Sequence, residues 1–480
     1  MTAPVLTGVL GGLLVAAVFR QGAFYSGDAA MVAVVSVVIT VALLARAPDR
    51  RTAAVVAAVA AFAGWWLVRA ASQGRASSFL PLGASALGFG CAFLATRRLR
   101  GPHRDLAARF LVAVGAVSAA VGLVATALRW YPLAMPAQNL WRLSTTLTYA
   151  NAAGALLAVA LLLGLGLDPR SRVTRAMVCL CAAGLVATQS RGAVLAAVVG
   201  LVLVPLAQLR RTAPTVVVGV LGGLAVVATS NGGRGQPVAV LAVVACAVIA
   251  TLVPPWRGRR SGRPSGAQPA PTWVSGAGNA DAPTWVAEAA PGPGPAGRPW
   301  SLRRRVLLVA GVGVVAVGVL AGAGAALKVP VERRISLGSS EDRSYEWRSA
   351  FDQWRSSPVV GVGPDQLLHF DAPDGNVAHF SHNEYLQILA DGGVVGELLL
   401  GLIAVCLVRA VRRRDLCSSC AAAALVGFAV AAALDFDWHL AALGLVGGWV
   451  AGLAGIPPPA EGVGGDAETR PAATDVSSRS

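Results

Sequence analysis

The sequence predicts an all-α fold, a polytopic transmembrane helix bundle of about 12–14 helices with one long extracytoplasmic loop containing amphipathic helices. Three observations lead there. Of 480 residues, 55% are hydrophobic and only 13% charged, too apolar for a soluble chain with an ordinary surface. The apolar residues run in segments near the length of about 20 residues that crosses a bilayer. Arginines collect in every second loop between those segments.

Candidate spans fall near residues 4–19, 29–45, 53–70, 78–96, 106–128, 146–167, 173–189, 191–209, 214–230, 237–253, 304–327, 393–411, 419–434 and 440–455. No Arg or Lys precedes the run from Pro4 to Phe19, so it is expected to stay as a helix and not to be cleaved as a signal. The spans 173–189 and 191–209 abut, and Gln189-Ser190-Arg191 must make a tight reversal. With a cytoplasmic N-terminus, inside loops hold Arg46, Arg50 and Arg51, then Arg97 to Arg109, Arg170 to Arg175, Arg210 and Arg211, Arg257 to Arg305, and Arg409 to Arg414. This alternation puts both termini inside and the interval Lys328 to Gly393 outside, at a cytoplasmic (inner or plasma) membrane.

The net charge of +16 is distributed in these short clusters instead of along one continuous face. Loop topology accounts for it, and nucleic acid is not an expected partner. Of the seven cysteines, Cys91, Cys179, Cys181, Cys246 and Cys406 lie in apolar segments and read as small hydrophobes. Cys417 and Cys420 form one Cys-x-x-Cys, and no second pair completes a four-ligand zinc site. From Pro254 to Pro299 the chain turns to Pro, Gly, Ala and Ser and repeats Ala-Pro-Thr-Trp-Val at Ala270 and Ala282. Such composition cannot bury a core and reads as a cytoplasmic linker, as does the tail after Pro457.

The outer interval carries three of the five histidines, His369, His379 and His382. Ser339 to Ser357 reads as an amphipathic helix, because Trp347, Ala350, Phe351 and Trp354 recur at i, i+3, i+4 and i+7, with Pro358 ending it. Such a helix either lies on the membrane surface or packs on other helices. Arg343 at its start can meet an anion, and Arg348 shares its polar face. Ser381-His382-Asn383-Glu384 has the form of a capping box with Ser381 as N-cap, which puts His382 in the first turn of a helix breaking at Asp391-Gly392-Gly393. A helix N-terminus disfavours imidazolium, so a neutral general base is expected there.

Two more groups stand at the outer ends of helices. Arg191 opens a helix within Ser190-Arg191-Gly192-Ala193; its guanidinium either anchors the helix at the interface or holds a phosphate. Asp435-Phe436-Asp437-Trp438-His439 lies in the turn between the last two spans, where the acids can pair with outer arginines or hold a metal. Arg142, Tyr149 and Asn151 precede another span.

Taken in order, these features resemble the O-antigen ligase and O-antigen polymerase superfamily of membrane glycosyltransferases. The resemblance rests on Ser190-Arg191-Gly192-Ala193, Arg343 with Trp347 and Ala350, Pro358 with Gly361-Val362-Gly363, His382-Asn383 with Tyr385-Leu386-Gln387, Gly393 and Gly396, and Asp435-Phe436-Asp437. The segment from Arg142 to Asn151 is similar to the family's Arg-containing stretch, with Ala150 where a Pro is usual. The resemblance implies a ligase or polymerase that joins a glycan from an undecaprenyl-pyrophosphate carrier to an acceptor hydroxyl on a glycan, lipid or protein. It implies a reaction at the outer face of the bilayer, inverting, with no cofactor and no metal. Arg191 and Arg343 would hold the pyrophosphate and His382 would activate the acceptor. Arg142, Asn151, Arg348, Asn383, Tyr385, Asp435 and Asp437 would line the substrate site.

The chain thus divides into N-terminal spans (1–253), linker (254–303), one span (304–327), the outer catalytic loop (328–392), C-terminal spans (393–455) and a tail (456–480). A transporter of an anion or lipid-linked sugar is the rival reading, but it would place polar residues mid-membrane on broken helices, often in inverted repeats. A sensor would need a cytoplasmic output domain, for which only the linker and tail are available.

Overall fold

The computed structural model describes residues 2–137, 140–230, 236–252, 341–366, 368–369, 377–411 and 415–455. The expected linker, the candidate span 304–327, Ser339 and the tail lie outside the described residues. The architecture is an all-α bundle. Its helices are α1 (Ala3–Phe19), α2 (Ser26–Leu44), α3 (Arg50–Ser72), α4 (Leu80–Arg97), α5 (Pro102–Leu128), α6 (Ala150–Gly164) and α7 (Arg172–Ala187). They continue as α8 (Arg191–Leu203), α9 (Leu206–Thr229), α10 (Pro237–Leu252), α11 (Glu341–Ser356), α12 (Glu384–Ala410), α13 (Leu416–Ala432) and α14 (Ala441–Ala454). Among the described residues six helical segments are long and apolar enough to cross a membrane: α2, α3, α4 with its preceding turn, α5, α9 and α12.

Every expected span inside the described residues is helical, but three boundaries move. The chain between 191 and 230 breaks at Val204, not at Arg210-Arg211, because Pro205 forces the residue before it into an extended conformation (ψ 136°). The helix expected from residue 146 starts at Ala150, after left-handed turns at Thr145 and Thr148. Ahead of it stands a hairpin that periodicity did not reveal: β1 (Ala134–Ala137) pairs antiparallel with β2 (Leu140–Leu143), setting Met135 opposite Arg142. A second short hairpin pairs β3 (Leu368–His369) with β4 (Val377–Ala378). Third, the span expected from residue 393 is the continuation of α12.

The centre of the bundle is α14, buried at every residue from Ala441 to Ala454. Its small residues make that possible. Gly444, Gly448 and Gly452, each four apart, lie against Ser85, Phe89 and Phe93 of α4 so closely that a Cβ on any of them would strike main-chain atoms there. The outer helices instead expose Val34, Val38 and Val41 on α2, Leu241 and Val244 on α10, and Leu398 and Val408 on α12. An apolar outer face of this kind suits lipid.

The two ends of the bundle differ. At one end arginines take up the last carbonyls of helices: Arg98 donates to Leu43 O (2.7 Å), Arg104 to Leu453 O (3.2 Å) and Arg175 to Ala250 O (3.0 Å). Arg97 pairs with Asp49, the N-cap of α3 (3.3 Å), and Arg104 with Asp415, the N-cap of α13 (2.8 Å). The opposite end carries the starts of α6, α8, α12 and α14; arginines take up helix-end carbonyls there too, Arg129 donating to Ser230 O (3.3 Å) and Arg142 to Thr188 O (2.9 Å), and histidine–carboxylate pairs join them.

There α12 breaks, as the Asp391-Gly392-Gly393 run predicts. Gly393 adopts φ 65°, ψ −168°, open to glycine alone at no cost. The turn from Pro358 to Gly363 docks into the gap. Val362 N and Gly363 N donate to Ala390 O and Asp391 O (both 2.9 Å), and Val394 N donates to Pro358 O (3.0 Å). From α3, Trp65 reaches Gly392 O (3.0 Å) and Arg69 reaches Gly361 O (2.8 Å). Backbone groups freed by the break are thereby satisfied, the condition for irregular chain in an apolar setting.

Candidate active site

The site begins with α11. Ala350 on α11 and Ala390 on α12 form one small buried contact with Leu386, and with no bulk between them the helices lie close. Trp347 and Phe351 remain exposed at 37% and 40%, while Ala350 of the same predicted face is buried against α12, so the helix packs on the bundle and leaves two aromatics outside. The inward face holds Glu346, 5% exposed, one turn after Arg343.

His382 meets that face. Its Nδ1 lies 2.8 Å from Oε2 of Glu346, and its ring edge stands against Phe436 with centroids 5.1 Å apart. Burial works against charging the imidazole. The Glu346 hydrogen bond and the charges of Asp435 and Glu346 outweigh burial and the opposing Arg343, and hold the His382 pKa above its ordinary value. The expected capping box does not form. Asn383 is the N-cap, accepting from Leu386 N (3.0 Å), and Ser381 instead donates to Asn383 O (2.9 Å). Consequently His382 precedes the helix, at φ 47°, and the expectation that a helix dipole keeps it neutral is corrected. Its local electrostatics favour imidazolium.

Glu384, expected to reach back to the cap, pairs with His439 (3.0 Å) and accepts from Trp438 N (3.1 Å). Among the described residues His379 stands 3.9 Å from Asp365 at the surface, while Glu384–His439 and Glu346–His382 are closer carboxylate–imidazole pairs that accessibility separates. The His439 and Glu384 side chains are 5% and 0% exposed, whereas the His382 side chain is 28% exposed. Only the latter can meet a substrate from outside without rearrangement. For His439 too, burial opposes charging, while Glu384, through its charge and hydrogen bond, and then Asp391 raise the pKa.

Asp435 joins the remaining elements. It accepts from the Tyr149 hydroxyl (2.6 Å) and from the Asn151 amide, and Arg343 stands 3.8 Å away. Arg142 donates to Asn151 Oδ1 (2.8 Å) and to Thr188 O (2.9 Å), the carbonyl just ahead of the α8 cap. Ser190 caps α8 by accepting from Ala193 N (3.3 Å), which sets Arg191 as the first helical residue. Arg142, Arg191 and Arg343 interact electrostatically with one another. Burial, chiefly, lowers the Arg142 pKa; Tyr149 and Asp435 oppose that, and the other two arginines add to it. The Tyr149 hydroxyl is raised well above its usual range by burial and by Asp435. Arg142 and Arg343 act on Asp435, and Arg191 at the opening of α8 lies within electrostatic reach of both, so three guanidiniums from distant segments gather at one place, an arrangement suited to a phosphate.

Not all expected residues join this cluster. Arg348 is exposed on α11. Asn383 serves as a helix cap. Tyr385 points its hydroxyl at Ala429 O (2.8 Å) and packs edge-on to Trp438, and both line an apolar cavity of about 610 Å³ between α3, α4, α12 and α13 that extends to Val411. Asp437 is buried, and burial with the charges of Asp435 and Glu384 raises its pKa well above the usual carboxylate range. Among the described residues no group of three or more His, Cys, Asp or Glu is arranged to hold a metal, and Asp435 is committed to Tyr149, Asn151 and Arg343. Glu346 was not singled out by sequence, although its i+3 spacing from Arg343 was the available signal.

Among curated proteins none matches the chain. Residues 294–401 match the family model described as O-antigen ligase, an interval containing α11, His382 and the first two thirds of α12. With its apolar helices this indicates a multi-pass membrane protein and supports an O-antigen ligase or polymerase type of function. The match supports membership of the O-antigen ligase superfamily.

Proposed function

We propose that the protein transfers a glycan from an undecaprenyl-pyrophosphate carrier to an acceptor hydroxyl at the outer face of the cytoplasmic membrane, with inversion and without a metal. The observation that carries this reading is the convergence of Arg142, Arg343 and His382 on Asp435, with Arg191 beside both arginines, at the end of the bundle that carries the starts of α6, α8, α12 and α14. Arg191 and Arg343 bind the pyrophosphate and stabilise the charge that develops as it departs. Neutral His382 takes the acceptor proton while the acceptor oxygen attacks the anomeric carbon from the face opposite the leaving pyrophosphate. The apolar cavity beside Tyr385 suits the isoprenoid tail of the carrier, whose length lies in the bilayer. Both termini are cytoplasmic in this reading, and the acceptor is a glycan, lipid or protein.

The test is transfer of a lipid-linked oligosaccharide by purified protein. Arg191→Ala, Arg343→Ala and His382→Ala are each expected to lose transfer while eluting as folded protein. Full activity of the His382 variant removes the base assignment, and loss of wild-type activity on adding a chelator removes the metal-free mechanism. Transport of the lipid-linked sugar across vesicles without joining would favour the transporter.

A further inference from the structure

The base assignment leaves open what sets the tautomer and basicity of His382. A neutral imidazole has one N–H and one lone pair, and the hydrogen bond at one nitrogen decides which nitrogen is the base. Glu346 occupies that position. Its carboxylate lies 2.8 Å from Nδ1, its side chain is 6% exposed, and it is carried on a helix fixed by the Ala350–Ala390 contact. A carboxylate accepts only, so Nδ1 must carry the proton and Nε2 the lone pair.

We propose that Glu346 is the positioning residue of the reaction, orienting His382 with Nδ1–H toward its carboxylate so that Nε2 receives the acceptor proton. This rests on the reading of His382 as base. In the step, the acceptor O–H bond breaks and its proton passes to Nε2, while the oxygen lone pair forms the bond to the anomeric carbon. The bond from that carbon to the pyrophosphate oxygen breaks with its electron pair, and the departing anion remains beside Arg191 and Arg343. The imidazolium so formed is held by ionised Glu346 and returns its proton to solvent.

Three charged groups act on His382. Arg343 and Glu346 face His382 from α11, Asp435 faces it from the turn before α14, and Arg343 alone opposes its protonation. A neutral amide at position 346 removes the nearest negative charge and supplies either a donor or an acceptor to Nδ1. Both the basicity and the tautomer of His382 then change, whereas a substitution that merely loosened α11 would change neither specifically.

Two measurements on full-length protein in detergent test this. Carbethoxylation of His382 by diethyl pyrocarbonate, followed by peptide mass spectrometry, reports the neutral fraction of the ring against pH and needs no substrate. In Glu346→Gln the midpoint is expected to move to lower pH, and transfer from the lipid-linked oligosaccharide to fall at least tenfold at its pH plateau. Glu346→Asp is expected to keep the wild-type direction of the midpoint and to recover part of the rate. An unmoved midpoint in Glu346→Gln overturns the proposal, as does a moved midpoint with an undiminished plateau rate. Failure of the base reading itself would be separate: His382→Gln would transfer at the wild-type rate, whatever the Glu346 variants do to the ring.

Discussion

Replacing Asp435 tests whether one carboxylate organises the site. Its side chain is 4% exposed and that of Arg343 is 24% exposed. Asp435→Ala removes the 2.6 Å hydrogen bond from Tyr149, charge-assisted and worth about 1.5–3 kcal/mol. It also strips the Asn151 amide of an acceptor, costing roughly another 1 kcal/mol. The Arg343 contact, at 3.8 Å and partly solvated, contributes about 1 kcal/mol at most. Allowing for relaxation among neighbouring groups, the total is about 3–4 kcal/mol. In a chain this size that is a fall of roughly 3–6 °C in unfolding temperature. The assay is thermal unfolding in detergent of Asp435→Ala, Tyr149→Phe and the double variant. The double variant is expected to lose less than the two single losses together, by about 1–2 kcal/mol, since each single change already breaks the shared bond. An Asp435→Ala protein that unfolds within a degree of wild type, or strict additivity with Tyr149→Phe, would refute the assignment of Asp435 as the hub.

Further predictions concern pH, packing and the lipid. The His382 pKa is held above 6.5 in the folded protein, so the Glu346 pair contributes its full stability below about 6.5 and loses it as pH rises through the folded value. Transfer needs the neutral ring, so rate should rise across the window in which unfolding temperature falls; parallel profiles would be inconsistent with His382 as base. Gly448→Leu would drive a side chain into the Phe89 main chain, at a cost of about 3 kcal/mol or more, and should abolish recovery of folded protein, whereas exposed Val34→Leu on α2 should not. Ala404→Trp fills part of the apolar cavity and should raise KM for the lipid-linked donor with little change in kcat. An unchanged KM would remove the cavity from the donor site.

The helical architecture could be read from composition because bilayer thickness sets helix length, which appears locally as the length of each apolar run. The break at Gly393 was equally legible, since only glycine takes φ 65° there without strain. The α8–α9 boundary does not fall where Arg210 and Arg211 suggest a loop, because Pro205 is the stronger local constraint. At His382 the four-residue pattern suggests a Ser381 cap, but Ser381 and Asn383 compete for the first-turn N–H groups of α12, and Asn383 takes the cap. Glu384 was drawn away by His439, more than fifty positions on.

What the sequence by itself determined is the membrane bundle, its alternating arginines, and the candidates Arg191, Arg343 and His382 at one end of it. Tertiary structure alone decided their surroundings. Arg142, Asn151 and Tyr149 meet Arg343 only because Asp435 accepts from or pairs with residues of two distant segments. His382 is held toward imidazolium, not toward the neutral ring its local sequence suggested, because a carboxylate on another helix lies 2.8 Å away. Electrostatic interaction falls with distance in space, and distance along the chain does not measure it.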